Sequence, residues 1–396
     1  MRLDRGLLTN SYLLIFALSL MGFLAEYVLR PVIPLLIIDR GGGATLIGIV
    51  TAVFALPSIA LRPAVGWMVD RWRQRQVLGL GALLASVSPL GLLLPGTLPL
   101  LASRFMQGSA WAVFTVSTRT LMAQATPAER RAEASAYFAA MPALAVLIAP
   151  GVGVAMYLAT GTVGPVILSM VLALTAFVMV VRLPLVDTSG RTRRNDPETG
   201  GRRAGFVFEW PVVPAMAMTA AFMAADSLFS VFPPVFIAMT GEQVESLALY
   251  YPVYGLASAA SLFSVGRFSN RLPRGVGIRV GGAIAIVGLS VAIVANGLVA
   301  FGIGAAIYTL GAAFASAALG ALSIDRAPPH RLGSAMATYS IGFQLAIGAG
   351  ALAWGPMIAS FGFDAALGAA LGLVLIVGLA SYRYADRNDY RPSASC

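Results

Sequence analysis

Long apolar runs, separated by short polar or Gly/Pro-containing breaks, fill almost the whole chain. A helix needs about 20 residues to cross a bilayer, and each run is close to that length. The pattern predicts twelve spans with the approximate limits 11–36, 44–68, 76–94, 99–122, 132–158, 162–182, 211–238, 244–268, 276–295, 298–323, 332–358 and 363–382. We therefore predict an all-α integral membrane protein: an N-terminal six-helix bundle (1–183), a polar linker (184–210) and a C-terminal six-helix bundle (211–396).

Composition narrows the class of protein. The 396 residues are 58% hydrophobic and 11% charged, whereas a soluble domain has about 25% charged residues. All 27 basic residues are Arg, and the net charge is +10. Nucleic-acid binding would need a basic face on a soluble fold, which twelve spans do not leave room for. The expected partners are the lipid bilayer and a small-molecule substrate, with no nucleic acid, and we expect a monomer.

The Arg residues are concentrated in alternate loops, on one side of the predicted membrane. The N-terminus, the loops after the even-numbered spans and the C-terminal tail contain nearly all of them, and Arg40 is the main exception. The positive-inside rule then predicts cytoplasmic termini and a cytoplasmic linker. We expect a multi-pass protein of the cell inner (plasma) membrane.

An internal repeat relates the two halves. A shift of 200 residues aligns chemically similar pairs: Glu26 with Asp226, Pro34 with Pro234, Gly66 with Gly266, Asp70 with Asn270, Arg71 with Arg271, and Arg131 with Arg331. Since the shift spans six helices, both halves have the same orientation. Parallel repeats of this kind form their substrate site at the interface between the halves, near the midplane.

One loop carries a recognisable signature. The segment from Gly66 through Asp70 and Arg71 to Arg75 resembles the G-x-x-x-D-R-x-G-R-[RK] motif of the major facilitator superfamily, and Gly266, Asn270 and Arg271 repeat it in weaker form. Arg73 and Gln74 depart from the motif. The resemblance implies a two-bundle fold and a conformational role: the glycines allow close helix approach, and an Asp/Arg pair latches the cytoplasmic ends of the halves. The alternative is an ordinary positively charged loop.

A second segment, Leu100 to Ala110, resembles the family motif in which an intramembrane Arg is linked to proton coupling. Burying an Arg in hydrocarbon is costly, so Arg104 needs a partner. At 1.5 Å per residue, Glu26 and Arg104 lie roughly 21 and 22 Å from the same face. We expect the two to pair, either as a proton-coupling site or as a structural ion pair.

Two further ionisable residues extend this hypothesis. Arg30 is one turn beyond Glu26 on the same helix face, so we expect it to compete with Arg104 for the carboxylate. Asp226 matches Glu26 in the second half, but its span offers no Arg nearby. It is a second proton site, a cation-attracting group, or a protonated hydrogen-bonding residue.

The fifth span contains Pro150 and Gly153 in a segment that partly resembles the G-P-x-x-G-G end of the motif marking exporters of this superfamily. Proline removes a helix hydrogen bond, and glycine permits close packing. We predict that this segment bends during transport, with simple helix packing as the alternative.

Aromatic and polar residues on inward-tending spans predict a substrate surface for bulky, partly apolar compounds. They are Trp111, Phe114, Tyr137, Tyr254, Phe343, Gln344 and Trp354. The chain has one His, His330, one Cys, Cys396, and no Lys, which argues against catalytic or metal sites and excludes a Walker-type ATP site. We expect no enzyme activity, metal or cofactor, with a proton gradient as the energy source.

The resemblance is strongest to twelve-span drug:proton antiporters and sugar-efflux-type exporters. It implies a proton-coupled exporter of small amphipathic or drug-like compounds that works by alternating access. The alternatives are a solute:proton symporter or facilitator for a sugar or metabolite, and a lipid flippase.

Overall fold

The computed structural model describes residues 10–125, 131–182, 209–268, 273–327 and 332–385, and it is helical almost throughout. The helices of the first half are α1 (Asn10–Asp39), α2 (Ala44–Ala60), α3 (Arg62–Arg71), α4 (Gln74–Val87), α5 (Thr97–Ala125), α6 (Arg131–Thr160) and α7 (Val163–Arg182). Those of the second half are α8 (Val213–Ser230), α9 (Pro233–Thr240), α10 (Ser246–Phe268), α11 (Arg274–Ile293), α12 (Leu298–Arg326), α13 (Leu332–Phe361) and α14 (Phe363–Ala385).

These helices correspond to the twelve predicted spans, two of which are broken. The second span consists of α2 and α3, and the seventh consists of α8 and α9. Ten segments of the described chain are long and apolar enough to cross a membrane on composition alone. The remaining two spans are α5 and α10, which are 29 and 23 residues long. The predicted linker falls mostly outside the described residues, so the limits of the two bundles stay a prediction.

Prolines explain both breaks. Pro63 follows the first residue of α3 and has no N–H to continue the hydrogen-bond ladder of α2. Pro233 and Pro234 begin α9 and likewise leave carbonyls of α8 without helical partners. The hydroxyl of Tyr250 donates to one of these carbonyls, that of Phe229, at 2.8 Å. The break in the seventh span is therefore stabilised by a side chain from α10.

Each half packs as a bundle, and the bundles meet mainly along two helix pairs. In the first half α1 packs on α6 and α7, and α4 packs on α5 and α7. In the second half α11 packs on α12 and α14, and α8 packs on α12 and α13. Between the halves, α2 packs on α13 and α6 packs on α10. The result is a two-bundle membrane fold, as predicted.

Among the described residues, the close contacts between the halves lie towards one face. We call the face where α1 begins the N-terminal face. Towards the opposite face, a Cβ on Gly255 would lie 2.5 Å from the Cα of Leu147, and one on Gly48 would overlap the carbonyl of Ala351. Towards the N-terminal face, no described atom lies within 4 Å of a Cβ built on Gly66. Within the described part of the chain, the interface is therefore closed at the opposite face and open around Gly66 at the N-terminal face.

Candidate functional site

A buried ion pair joins α1 to α5 inside the first bundle. The Glu26 Oε1 and Arg104 Nη1 atoms are 3.6 Å apart, and the two side chains are 11% and 8% exposed. The same Nη1 donates to Gln107 Oε1 at 2.5 Å, and the guanidinium lies 4.3 Å from the ring centre of Phe54. The Arg104 Nε atom has no hydrogen-bond acceptor among the described residues. The expected pairing of Glu26 with Arg104 is present, and one buried donor remains unused.

Glu26 borders a small space that we call the Glu26 chamber. Its volume is about 30 Å³, and its polar lining includes Gln107, Ser88 and Ser169. A polar cavity holds a water molecule once it offers about 10–15 Å³ to the probe. The chamber therefore has room for one or two waters beside the Glu26 carboxylate.

A much larger space, the central cavity, lies between the halves. Its volume is about 550 Å³. The walls come from α1, α3, α5 and α6 of the first half and from α8, α10 and α13 of the second: Phe23, Tyr27, Arg30, Arg62, Trp111, Thr115, Val116, Arg119, Pro142, Val146, Pro150, Asp226, Ser230, Tyr251, Tyr254, Ser258, Met336, Tyr339, Ser340, Phe343 and Ile347. The volume is within the usual range for a small-molecule site.

Arg30 faces the central cavity, although it is only one turn beyond Glu26. Its guanidinium lies 3.7 Å from the ring centre of Tyr27, and it borders the central cavity rather than the Glu26 chamber. It stays within electrostatic range of both Glu26 and Arg104. Arg30 therefore acts on the ion pair through space, without replacing Arg104 as the partner of Glu26 in this conformation.

Asp226 lies on the opposite wall of the same cavity. Its two carboxylate oxygens are 2.9 and 3.0 Å from the hydroxyl of Tyr254, which donates to them. The rings of Tyr254 and Tyr250 are stacked with centres 6.2 Å apart. Its own helix, α8, offers no Arg, as expected, but Arg30 of the first half acts on Asp226 electrostatically across the cavity. Inspection of the seventh span alone could not reveal a cation supplied by the other bundle.

Trp111 forms part of the wall between the two spaces. It lines both the Glu26 chamber and the central cavity. Its ring meets Phe23 edge to face at 5.2 Å and lies 6.5 Å from both Tyr27 and Phe54. These contacts hold the indole within an aromatic cluster, so packed side chains form the wall between the two spaces at this point.

The predicted substrate residues divide into three groups. Trp111, Tyr254 and Phe343 line the central cavity. Phe114 does not, because its ring packs against Gly22 inside the first bundle, and Trp354 does not, because its Nε1 donates to the Ala224 carbonyl at 2.8 Å. The side chains of Tyr137 and Gln344 lie outside the described part of the structure.

The loop signature is seen only in part. Arg71 lies 4.7 Å from the ring centre of Trp67 on its own helix, and Arg75 donates to the Val181 carbonyl of α7. No described atom lies within 4 Å of a Cβ built on Gly66, so the expected close helix approach is not seen among the described residues. The side chain of Asp70, the surroundings of Gly266, and residues Asn270 and Arg271 lie outside what is described.

The fifth span is one continuous helix, α6, through Pro142 and Pro150. Pro150 borders the central cavity. Gly153 packs against the Val28 backbone of α1, within the first bundle. Gly151 is the residue that meets the second half, since a Cβ there would lie 2.8 Å from the Pro252 Cγ.

Among the cavity residues that sequence reasoning missed are Arg62, Arg119 and Tyr251. Both arginines fall inside predicted spans. An ionisable residue within a span is a functional-site hypothesis by default, and that signal was available for both. No pattern distinguished Tyr251 from its neighbours Tyr250 and Tyr254.

Comparison with known proteins agrees with this architecture. The sequence model of the family named Major Facilitator Superfamily matches residues 15–351 of the chain. The chain is 28% identical over 153 residues to the staphylopine export protein of Staphylococcus aureus, covering 39% of this chain and 38% of that protein. It is 24% identical over 214 residues to the quinolone resistance protein NorA of the same organism, covering 53% of this chain and 55% of that protein.

Each alignment therefore spans less than two thirds of the relative. Among solved structures, the fold is similar to a bacterial homolog of the human lysosomal transporter Spinster in an inward-facing, unoccupied conformation. The TM-score is 0.76 at 16% identity, covering 98% of this chain and 100% of that one. The chain belongs to the Major Facilitator Superfamily and is a multi-pass membrane transporter, not an enzyme.

Proposed function

We propose that this transporter is a proton-coupled exporter of small amphipathic compounds that works by alternating access. It would lie in the cell membrane with its N-terminal face towards the cytoplasm, because the arginine-rich loops lie at that face. The observation that carries the proposal is the buried Glu26–Arg104 ion pair, separated from the substrate-sized central cavity by one wall.

Glu26 is the proposed proton carrier. A buried carboxylate stays ionised while a guanidinium lies against it and takes up a proton when that cation withdraws. Arg104 already contacts an alternative acceptor, Gln107 Oε1, and its Nε is unused. A small shift of Arg104 towards Gln107 would leave Glu26 to be protonated from water in the chamber.

Arg30 is the proposed link between proton and substrate. It borders the central cavity and acts electrostatically on Glu26, Arg104 and Asp226. A substrate bound in the cavity changes the surroundings of Arg30 and therefore the potential at Glu26. In this mechanism, substrate and proton compete through charge without sharing a binding position.

The outward direction of transport rests on the relatives. One is named for staphylopine export and another for quinolone resistance, which a transporter provides by removing the drug from the cell. The open N-terminal face suits capture of substrate from the cytoplasmic side.

The proposal is tested with purified protein in liposomes, using a fluorescent quinolone as probe and an imposed pH gradient. We expect wild-type protein to drive quinolone against its concentration gradient. Glu26→Gln, which cannot titrate, should lose this pH-driven flux and keep quinolone exchange when no gradient is present. The matched control is Glu245→Gln, an exposed carboxylate at the opposite face, which should behave as wild type. Full pH-driven flux in Glu26→Gln would refute the assignment.

A further inference from the structure

Arg40, the main exception to the concentration of Arg at one side of the predicted membrane, makes a specific contact at the opposite face. It follows the last residue of α1, and its Nη2 donates to the Leu92 carbonyl at 2.6 Å. Leu92 is the last residue of a short 3₁₀ helix, Ser88–Leu92, which continues α4 towards the opposite face and which we call the 3₁₀ segment. Arg40 therefore ties the 3₁₀ segment to the end of α1.

The 3₁₀ segment forms the wall of the Glu26 chamber nearest to the opposite face. Ser88 and Pro89 belong to the chamber lining, together with Glu26 and Gln107. Since α5 begins at the opposite face, at Thr97, Gln107 lies roughly 15 Å along the helix from that end. The chamber therefore extends from the depth of the ion pair towards the opposite face.

A line of polar groups joins the ion pair to this wall. Besides accepting from Arg104, Gln107 donates through Nε2 to the Ser103 hydroxyl at 3.2 Å. That hydroxyl donates to the Ser88 carbonyl at 2.7 Å. Gln107, Ser103 and Ser88 are all buried. Polar groups buried within a membrane bundle commonly mark ion pathways and proton relays, so this line indicates a direction for proton entry.

The 3₁₀ segment packs closely on α5 in this conformation. A Cβ on Gly91 would lie 2.8 Å from the Ser103 Cβ and 2.9 Å from the Pro99 carbonyl. Leu92 and Leu100 are buried beside this contact. The segment therefore separates the chamber from the opposite face at this point.

Glu26 is the acidic residue of the described chamber lining. Arg104 of α5 and Arg30 of α1 act on it electrostatically. The other two helices of the lining, α4 and α7, contribute no charged side chain among the described residues. A proton that reaches water in the chamber therefore meets the Glu26 carboxylate as its acceptor.

We propose that protons reach Glu26 directly from the opposite face, past the 3₁₀ segment and through the Glu26 chamber, without entering the central cavity. Water in the chamber gives a proton to the Glu26 carboxylate and takes one from water beyond the segment. Arg40 and Ser103 are positioning residues that hold the segment closed. The inference rests on the proposed proton coupling and deepens it, because it gives the side and the path of proton entry.

Two barriers then bound the chamber. The 3₁₀ segment closes it towards the opposite face, and Trp111 lies between it and the central cavity. Neither Ser88 nor Gln107 belongs to the described lining of that cavity. Protons and substrate therefore enter by separate routes.

Silver ions test the route, because they are small enough to follow water and they bind a cysteine thiolate. In a background without Cys396, Ser88→Cys places a thiol in the chamber and Ser258→Cys places one in the central cavity. Silver is added to right-side-out or to inverted membrane vesicles, without substrate or a pH gradient. The thiols left unreacted are counted with a fluorescent maleimide after denaturation.

We expect Ser88→Cys to react faster in right-side-out vesicles and Ser258→Cys to react faster in inverted ones. The control for a thiol without water access is Ser227→Cys, which is buried and belongs to neither described lining. Reaction of the chamber and cavity thiols from the same side would overturn the proposal. Reaction of Ser88→Cys no faster than that of Ser227→Cys from either side would also overturn it.

Variants of Arg40 test the closure. Arg40→Met has a similar length and no donor, so it should speed the reaction of Ser88→Cys roughly tenfold, the effect of losing one hydrogen bond from a charged donor. Arg40→Lys can still donate to the Leu92 carbonyl and should react as the parent does. Ser258→Cys should be unaffected by either change. Equal acceleration of both thiols in Arg40→Met would overturn the assignment, because it would mean a general loosening.

Proton passage itself is measured in liposomes that contain a pH-sensitive dye, again without substrate. Trp111→Ala weakens the barrier towards the cavity, and Arg40→Met weakens the barrier at the other end. The double variant should therefore leak protons several-fold faster than either single variant. A leak no faster than that of Trp111→Ala alone would overturn the route. None of these measurements uses quinolone flux, so failure of the route and failure of proton coupling are distinguishable.

Discussion

Trp111 separates Glu26 from the central cavity, because its side chain lines both the cavity and the Glu26 chamber. The indole is 8% exposed and is held by Phe23, Tyr27 and Phe54. A transporter that exchanges substrate for protons must keep the two from passing independently. The position of Trp111 suits this task, since its side chain lies between water in the cavity and the chamber that holds Glu26.

Replacing Trp111 should uncouple the protein. In Trp111→Ala the wall loses its largest side chain, so we expect water to connect the cavity to Glu26 and protons to leak without substrate. Trp111→Phe, which keeps an aromatic ring in the cluster, should leak much less. A pH-sensitive dye inside liposomes measures the flux in the absence of substrate. A leak no greater in Trp111→Ala than in wild type would show that Trp111 is not the barrier.

Asp226 should set substrate preference rather than proton coupling. It faces the central cavity and accepts a hydrogen bond from the Tyr254 hydroxyl, whereas Glu26 faces the smaller Glu26 chamber. Asp226→Asn removes the one acidic group of the described cavity lining, so calorimetry should show weaker binding of the cation naphthyl trimethylammonium and stronger binding of the anion naphthalene sulfonate. The pH-driven flux should remain. If Asp226→Asn loses this flux as completely as Glu26→Gln, the two carboxylates act as one paired proton site.

Removing Arg104 should destabilise the protein more than removing both partners. Arg104→Gln leaves Glu26 buried without its cation, and breaking a buried pair in this way costs about 3–5 kcal/mol. The double variant Glu26→Gln/Arg104→Gln has no unpaired charge and should recover most of the thermal stability measured in detergent. Similar melting temperatures for the single and double variants would mean that the pair contributes little to stability.

Two glycines should shift the conformational equilibrium in opposite directions. A Cβ on Gly48 overlaps the Ala351 carbonyl at the closed face, whereas a Cβ on Gly66 meets no described atom at the open one. Gly48→Val should therefore disfavour closure of the opposite face. Gly66→Val should be tolerated here and disfavour closure of the N-terminal face.

Spin labels measure this pair of predictions. In a background without Cys396, the single cysteine, labels at the exposed residues Trp72 and Ile324 report the separation of the halves at the N-terminal face. The fraction of long distances should fall in Gly48→Val and rise in Gly66→Val. A shift in the same direction for both variants would contradict the closure described above.

Most of the fold follows from the pattern of apolar runs. The length of each run gives the number of spans, and the distribution of Arg among the loops gives their orientation in the membrane. The pairing of Glu26 with Arg104 was also predictable, since helix rise gives depth directly. The depth of a residue in the membrane does not tell which cavity its side chain faces. Arg30 is one turn from Glu26, yet it borders a different cavity.

Relationships between the halves were harder to predict than those within a bundle. The influence of Arg30 on Asp226 depends on how two bundles face each other, which no single span encodes. Similarly, Phe114 and Trp354 are aromatic residues on inward-tending helices, but a neighbouring glycine and a backbone carbonyl hold them within their own bundles. Arg62 reaches the cavity wall at the break before Pro63, which divides a run that the apolar pattern alone treats as one span.

The central claim is that Glu26 gives up a proton as substrate enters the open cavity. Calorimetric titration with naphthyl trimethylammonium, whose fixed positive charge adds to that of Arg30 and favours the ionised form of Glu26, counts the protons released when repeated in buffers of different ionisation enthalpy. We predict proton release from wild-type protein and from Glu245→Gln, and none from Glu26→Gln, which should still bind the probe. Equal proton release from wild-type and Glu26→Gln proteins would contradict the account.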